Sequence, residues 1–223
     1  KGHAFEASVV AYLQQEHGSD NFATVCNHYK DSRSLGKAQE TFQLMKSGKP
    51  FILQGVLWNP QNRTFGMPDI LVRSDWLNQI TEQDTIEKHQ ETIRAPALDG
   101  DYHYRVVDVK FTTIKFNSSN TQILGQSSQK AYKSQLAIYN KALHRLQEYK
   151  PPQAYLLSRR WKYAGEIIGI NAHLDQLQFM LRSGVTSYKL LEGYEGFDEL
   201  DYSNGFSICY QAAANNSGLK KKF

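Results

Sequence analysis

The side chains with the most chemical potential lie on one stretch, Tyr104-Arg-Val-Val-Asp-Val-Lys-Phe111. Its aromatic and β-branched residues predict a buried strand. Strand side chains repeat every two residues, so Asp108 and Lys110 share one face. Val107, Val109 and Phe111 share the other and can anchor the strand in a core. An acid and a base fixed on a rigid element need a partner or a ligand. Three further pieces suit the same chemistry: Gly2-x-x-x-Glu6, Gly66-Met-Pro-Asp69 and Gln135-Leu-Ala-Ile-Tyr139.

That chemistry is metal-dependent phosphodiester hydrolysis. It needs an activated water and relief of charge on the scissile phosphate, which a hard divalent ion held by carboxylate and carbonyl oxygens supplies. In this reading Asp69 and Asp108 bind the ion and the main-chain carbonyl of Val109 adds an oxygen. Glu6 completes the shell directly or through water. Lys110 orients or polarises the attacking water and stabilises developing charge. Gly66 permits close approach, and Pro68 stiffens the path to Asp69. Gln135 and Tyr139, at i and i+4, present an amide and a phenol from one helix face to DNA, where Tyr139 can also stack. Lys130 and Lys133 lie one helical turn earlier on the same path. Arg159-Arg160-Trp-Lys162 is a second cluster suited to phosphate contact with stacking. Each fragment also has a plainer reading. Glu6 reads as a solvated helix residue and Asp69 as a turn cap. Gln135 and Tyr139 read as helix packing, and Arg159–Lys162 as a basic surface turn.

Taken in order, Pro68-Asp69, Asp108-x-Lys110 and Gln135-x-x-x-Tyr139 resemble the motif series of the PD-(D/E)xK nuclease superfamily. The Gln-x-x-x-Tyr helix is similar to the branch holding RecB-type nuclease domains and lambda-type exonucleases. The resemblance spans Gly2 to Tyr139. It implies a restriction-endonuclease-like core and a Mg²⁺- or Mn²⁺-dependent deoxyribonuclease, of exonuclease type, in recombination, repair, replication or defence. DNA with linear or single-stranded ends would be its partner, alongside a fused or associated helicase or recombination protein. The family's metal ligands map onto Asp69 and Asp108, its lysine onto Lys110 and its upstream acid onto Glu6. Many relatives carry a His where Glu6 stands, and several hold an iron–sulfur cluster on four cysteines. Cys26 and Cys209 are the only cysteines here, so no such cluster is expected. The rival reading from another class is a non-cleaving nucleic-acid-binding module of a larger protein.

The elements that must position these groups follow from periodicity. Helices are expected over 1–17, 36–47, 129–149 and 174–191, with a short one after Asp75. Strands are expected over 22–29, 51–58, 102–113, 153–157 and 166–170. Thr64–Arg73 would return as a hairpin from Phe51–Trp58 across the Asn59–Asn62 turn. Residues 74–101 read as an insert or surface loop and 117–129 as a loop. This order predicts an α/β fold with a central mixed β-sheet flanked by helices. One domain is expected over 1–211, with a flexible tail at 212–223.

Hydrophobic residues make up 40% of the 223, which supports a core. No apolar run approaches membrane-spanning length, so no membrane partner is expected. Two distant cysteines and no visible signal peptide suit an intracellular, reducing compartment. The net charge of +4 is unevenly spread. From Tyr102 to Gly165 there are eleven Lys/Arg and two acids; from Glu166 to Gly205 there are seven acids and two basic residues. A basic middle around Asp108 suits a polyanion.

Overall fold

The computed structural model describes residues 2–81, 84–115, 123 and 128–162, with backbone alone at 128 and 160–162. The expected strand at 166–170, the helix at 174–191, the tail, Cys209 and most of the 117–129 loop lie outside the described residues. In chain order the main elements are α1 (Gly2–His17), β1 (Phe22–Thr24), α2 (Leu35–Lys46), β2 (Phe51–Leu53), β3 (Leu57–Asn59) and β4 (Thr64–Gly66). They continue with β5 (Ile70–Arg73), α3 (Ser74–Leu77), α4 (Lys88–Glu91), β6 (Tyr104–Lys115), α5 (Ser128–Gln147) and β7 (Tyr155–Lys162).

Five strands form one mixed sheet in the order β1-β2-β5-β6-β7. The β1–β2 and β6–β7 pairs are parallel, and β2–β5 and β5–β6 are antiparallel. The fold is therefore α/β with a five-stranded mixed sheet flanked by helices. Among the described residues no helix is long and apolar enough to cross a membrane.

Alternation along the strands gives the sheet two apolar faces. Ile52, Leu71, Val106 and Leu156 join Met45 of α2 and Leu136, Ala142 and Leu143 of α5 in one core. Leu53, Ile70, Val107, Val109 and Tyr155 join Phe5, Val9, Tyr12 and Leu13 of α1 in the other. Each buried α1 side chain such as Leu13 contributes about 1.5–3 kcal/mol by leaving water. Gly18, at φ 81, then stops α1, its N–H donating to Gln14 O. Helix α5 ends at Glu148, φ 57. The side-chain amide of Gln147 pins that end to β6, accepting from Tyr104 N–H at 2.8 Å and donating to Tyr104 O at 3.2 Å.

Several expected elements are redrawn. The strand at 22–29 stops at Thr24, and Tyr29–Arg33 is a 3-10 turn. The apolar run Phe51–Trp58 is two strands, because Gln54 adopts φ 50 and breaks the extended path before Gly55. The hairpin is therefore split: β3–β4 is a two-stranded sheet of its own, while β2–β5 belongs to the main one. Within 74–101, Leu77, Ile80, Ile86, Ala95 and Leu98 are buried. Phe111, expected in the core, is 37% exposed, with the Arg159 guanidinium 4.4 Å from its ring centroid. Arg159–Lys162 lies within β7 rather than in a turn.

Candidate active site

The end of the β5–β6 ladder is where four ionisable side chains meet. Asp108 sits mid-strand on β6 with its carboxylate fully buried. Lys110, two residues on, turns its Nζ back to 2.6 Å from Asp108 Oδ2. The same Nζ is 3.8 Å from Asp69 Oδ2. Asp69 stands just before β5, and its Oδ2 accepts the main-chain N–H of Val109 at 2.7 Å. Apart from the Lys110 ion pair, neither oxygen of Asp108 has a hydrogen-bond partner among the described residues. Unspent acceptor capacity on a buried carboxylate is costly unless something else is bound there.

Glu6 reaches the same place from α1. Its Oε1 accepts from Gln54 Nε2 at 2.5 Å, and that nitrogen lies 3.4 Å from Asp69 Oδ1. Gln54 therefore holds Glu6 and Asp69 side by side. Its left-handed backbone and its N–H to Asp69 O, 3.0 Å, put it there. Sequence reasoning missed Gln54; the available signal was one amide inside the apolar run Phe51–Trp58, directly before a glycine.

The electrostatics follow from three acids facing one base. Burial, then the charge of Asp69, raises the Asp108 carboxyl well above the usual range. Glu6 is raised for the same two reasons, burial first. Burial alone would lower Lys110, but attraction to Asp108 and Asp69 outweighs it, and the ammonium holds its proton more tightly than in water. All three shifted groups hold their protons more tightly than in water, as expected where carboxylates outnumber the one base.

These residues suit a small hard cation. Mg²⁺ is commonly held by one or two carboxylates plus substrate oxygens rather than by an all-protein cage. Asp69 and Asp108 supply the two, and the unspent oxygens of Asp108 are the observation that favours a ligand. Among the described residues no three His, Cys, Asp or Glu side chains form a ready metal cage, and Glu6 is engaged by Gln54. Register supports the Val109 carbonyl as a further oxygen. Ile70 pairs with Val107, so two residues on Val109 would face Pro68, which has no N–H to offer it. The N–H and C=O of one strand residue point to the same edge, and the Val109 N–H already points to Asp69.

The expected DNA contacts fare unevenly. Tyr139 is only 7% exposed, and a Cβ on Gly66 would come within 2.1 Å of its ring. Gly66 thus admits Tyr139, not a ligand, and the ring is unavailable for stacking on a base. Its hydroxyl accepts from Gln135 Nε2 at 2.7 Å. Burial, then the Asp108 charge, pushes this phenol up to about 12. Gln135 and Tyr139 are therefore a wall of the site, with Gln135 partly exposed. Lys133 is fully buried and donates to Ile123 O at 2.8 Å, so it is a structural lysine rather than a phosphate contact. Lys130 and Arg159 are partly exposed, and Arg160 lies opposite Thr113 in β7.

Residues 151–218 fit the model of a bacterial protein family of unknown function, DUF934. No curated protein and no solved structure matches the chain. The matched family is not a PD-(D/E)xK nuclease family, so the resemblance read from motif order is corrected. Its weakness is physical: each motif is a few residues long, and Pro-Asp turns, Asp-x-Lys strands and Gln-x-x-x-Tyr helix faces each arise for ordinary structural reasons.

Proposed function

We propose that this chain is a divalent-metal-dependent phosphodiester hydrolase acting on DNA, with Asp69 and Asp108 as ligands of Mg²⁺ or Mn²⁺. The observation that carries this reading is the buried, partner-poor Asp108 carboxylate beside Lys110 of its own strand and Asp69, with Glu6 of α1 held next to Asp69 by Gln54. A divalent ion there would activate a water and offset the charge of the scissile phosphate. The chain's own residues do the rest. Lys110 is protonated near neutral pH, so it acts as a fixed positive charge toward the phosphate and not as a base. Gln54 holds Glu6 beside Asp69, where Glu6 can accept a hydrogen bond from a bound water. Tyr139 and Gly66 close one wall of the site. The basic stretch Tyr102–Gly165 favours a polyanionic substrate.

The direct experiment incubates the protein with linear and circular DNA in Mg²⁺, in Mn²⁺ and in chelator. Metal-dependent loss of linear DNA is expected, and circles should survive if a free end is required. No cleavage with either metal would overturn the enzymatic reading. One observation favours a second reading, a nucleic-acid-binding module that does not cut: the Lys110 ammonium, 2.6 Å from Asp108 Oδ2, already gives that carboxylate a counter-charge from within the chain. Salt-sensitive DNA binding without turnover in any metal would select it.

A further inference from the structure

The 3-10 turn Tyr29–Arg33 and the edge of β4 enclose a recess of about 510 Å³ lined by Tyr29, Lys30, Ser32, Arg33 and Phe65. We propose that this recess grips single-stranded nucleic acid next to the Asp69–Asp108 site, an inference that rests on the nuclease reading. Tyr29 is 75% exposed and Phe65 43%, so two aromatic faces are offered to solvent beside two cations. Aromatic platforms interleaved with basic side chains hold unpaired bases by stacking and their phosphates by charge, whereas a paired base has its faces already stacked. The Arg33 guanidinium carbon lies 5.7 Å from the Phe65 ring centroid, so cation and platform form one surface.

The recess is a built feature. Trp58 of β3 donates its indole N–H to Ser32 O at 2.9 Å, tying the turn to the β3–β4 hairpin. The acid of the turn, Asp31, accepts the His28 main-chain N–H at 3.3 Å. Phe65 also stands close to the chemistry. It lies four positions before Asp69, a span of at most about 14 Å. The intervening Gly66 rests on the ring of Tyr139, which adjoins Asp108 and Lys110.

The test measures binding of a short fluorescent single strand to the full chain by anisotropy, in chelator so that nothing is cut. Tyr29→Ala and Phe65→Ala should each weaken binding about tenfold, within the range of stacking losses. Arg33→Ala should weaken it and flatten its salt dependence. Lys88→Ala, on the exposed α4, should bind as wild type. A blunt duplex of the same sequence should bind at least about tenfold more weakly than the single strand. Wild-type affinity in both aromatic variants, or equal affinity for duplex and single strand, overturns the inference. The outcome is separable from the metal site: in an Asp108→Asn background the aromatic losses should persist, whereas failure of cleavage with intact aromatic losses would count against the nuclease reading alone.

Discussion

Strand β6 carries buried ionisable groups at its start and at its middle, and the two regions handle them differently. At the start, His103 is held from all sides. Ser74 N–H donates to His103 O at 2.7 Å, and His103 N–H donates to Ser74 Oγ at 3.2 Å. The ring contacts Ile93 O through Nδ1 at 2.9 Å and accepts from Arg105 Nε at 2.8 Å. Nε2 is thus an acceptor, and the ring is neutral with its proton on Nδ1. Burial, then the Arg105 charge, pushes His103 down to about 3. At mid-strand, Asp108 and Lys110 face two further acids and lack enough donors. Arg105 shows that unspent polarity alone does not mark a site, since its two terminal nitrogens also lack hydrogen-bond partners among the described residues. What marks the Asp108 region is convergence of like charges from α1, the start of β5 and β6, which no fold needs for its own stability.

The comparison is tested most severely by removing the charges in the Asp108 region. Lys110→Ala should lower turnover by a factor on the order of 10²–10³ while DNA affinity changes little. Asp108→Asn should abolish cleavage and the heat of Mn²⁺ binding in calorimetry; an unchanged isotherm would break the ligand assignment. The raised Asp108 carboxyl also fixes a sign. Its contribution to stability is present below the ordinary carboxylate range and is lost as pH rises through its raised pKa. In metal-free protein at neutral pH, Asp108→Asn should therefore raise Tm. Added Mn²⁺ should stabilise the wild type and not the variant.

The His103 region carries the opposite sign. Its folded pKa lies near 3 and its unfolded value near 6.5, so stability is lost as pH falls through that window. Denaturant titration should show roughly 3 kcal/mol lost to this group between pH 7 and pH 4. His103→Gln, which keeps an acceptor for Arg105, should flatten that part of the curve.

Smaller effects probe the wall between the site and the helix. Gly66→Ala would force a Cβ within 2.1 Å of Tyr139 and should cost about 1–3 kcal/mol in unfolding free energy. Tyr139→Phe removes only the acceptor for Gln135 and should cost about 1 kcal/mol, with cleavage largely retained. Strong loss of cleavage in that variant would mean the phenol does more than pack.

The sequence by itself determined the parts that depend on local pattern. Apolar spacing located α1, α2 and α5 to within a residue or two, because a helix face is legible in its own repeat. The alternation of Tyr104–Phe111 placed Asp108 and Lys110 together on one face of β6, because a strand's side chains strictly alternate. Only the tertiary structure decided what meets what. The left-handed turn at Gln54 split one apolar run into two strands and carried an overlooked amide between Glu6 and Asp69. Burial took Lys133 and Tyr139 away from any substrate, although both belong to residue types that favour surfaces and ligands. Both outcomes depend on which strand lies beside which. That order is set by covering both faces of the sheet at once, a condition on the whole chain that no short window contains.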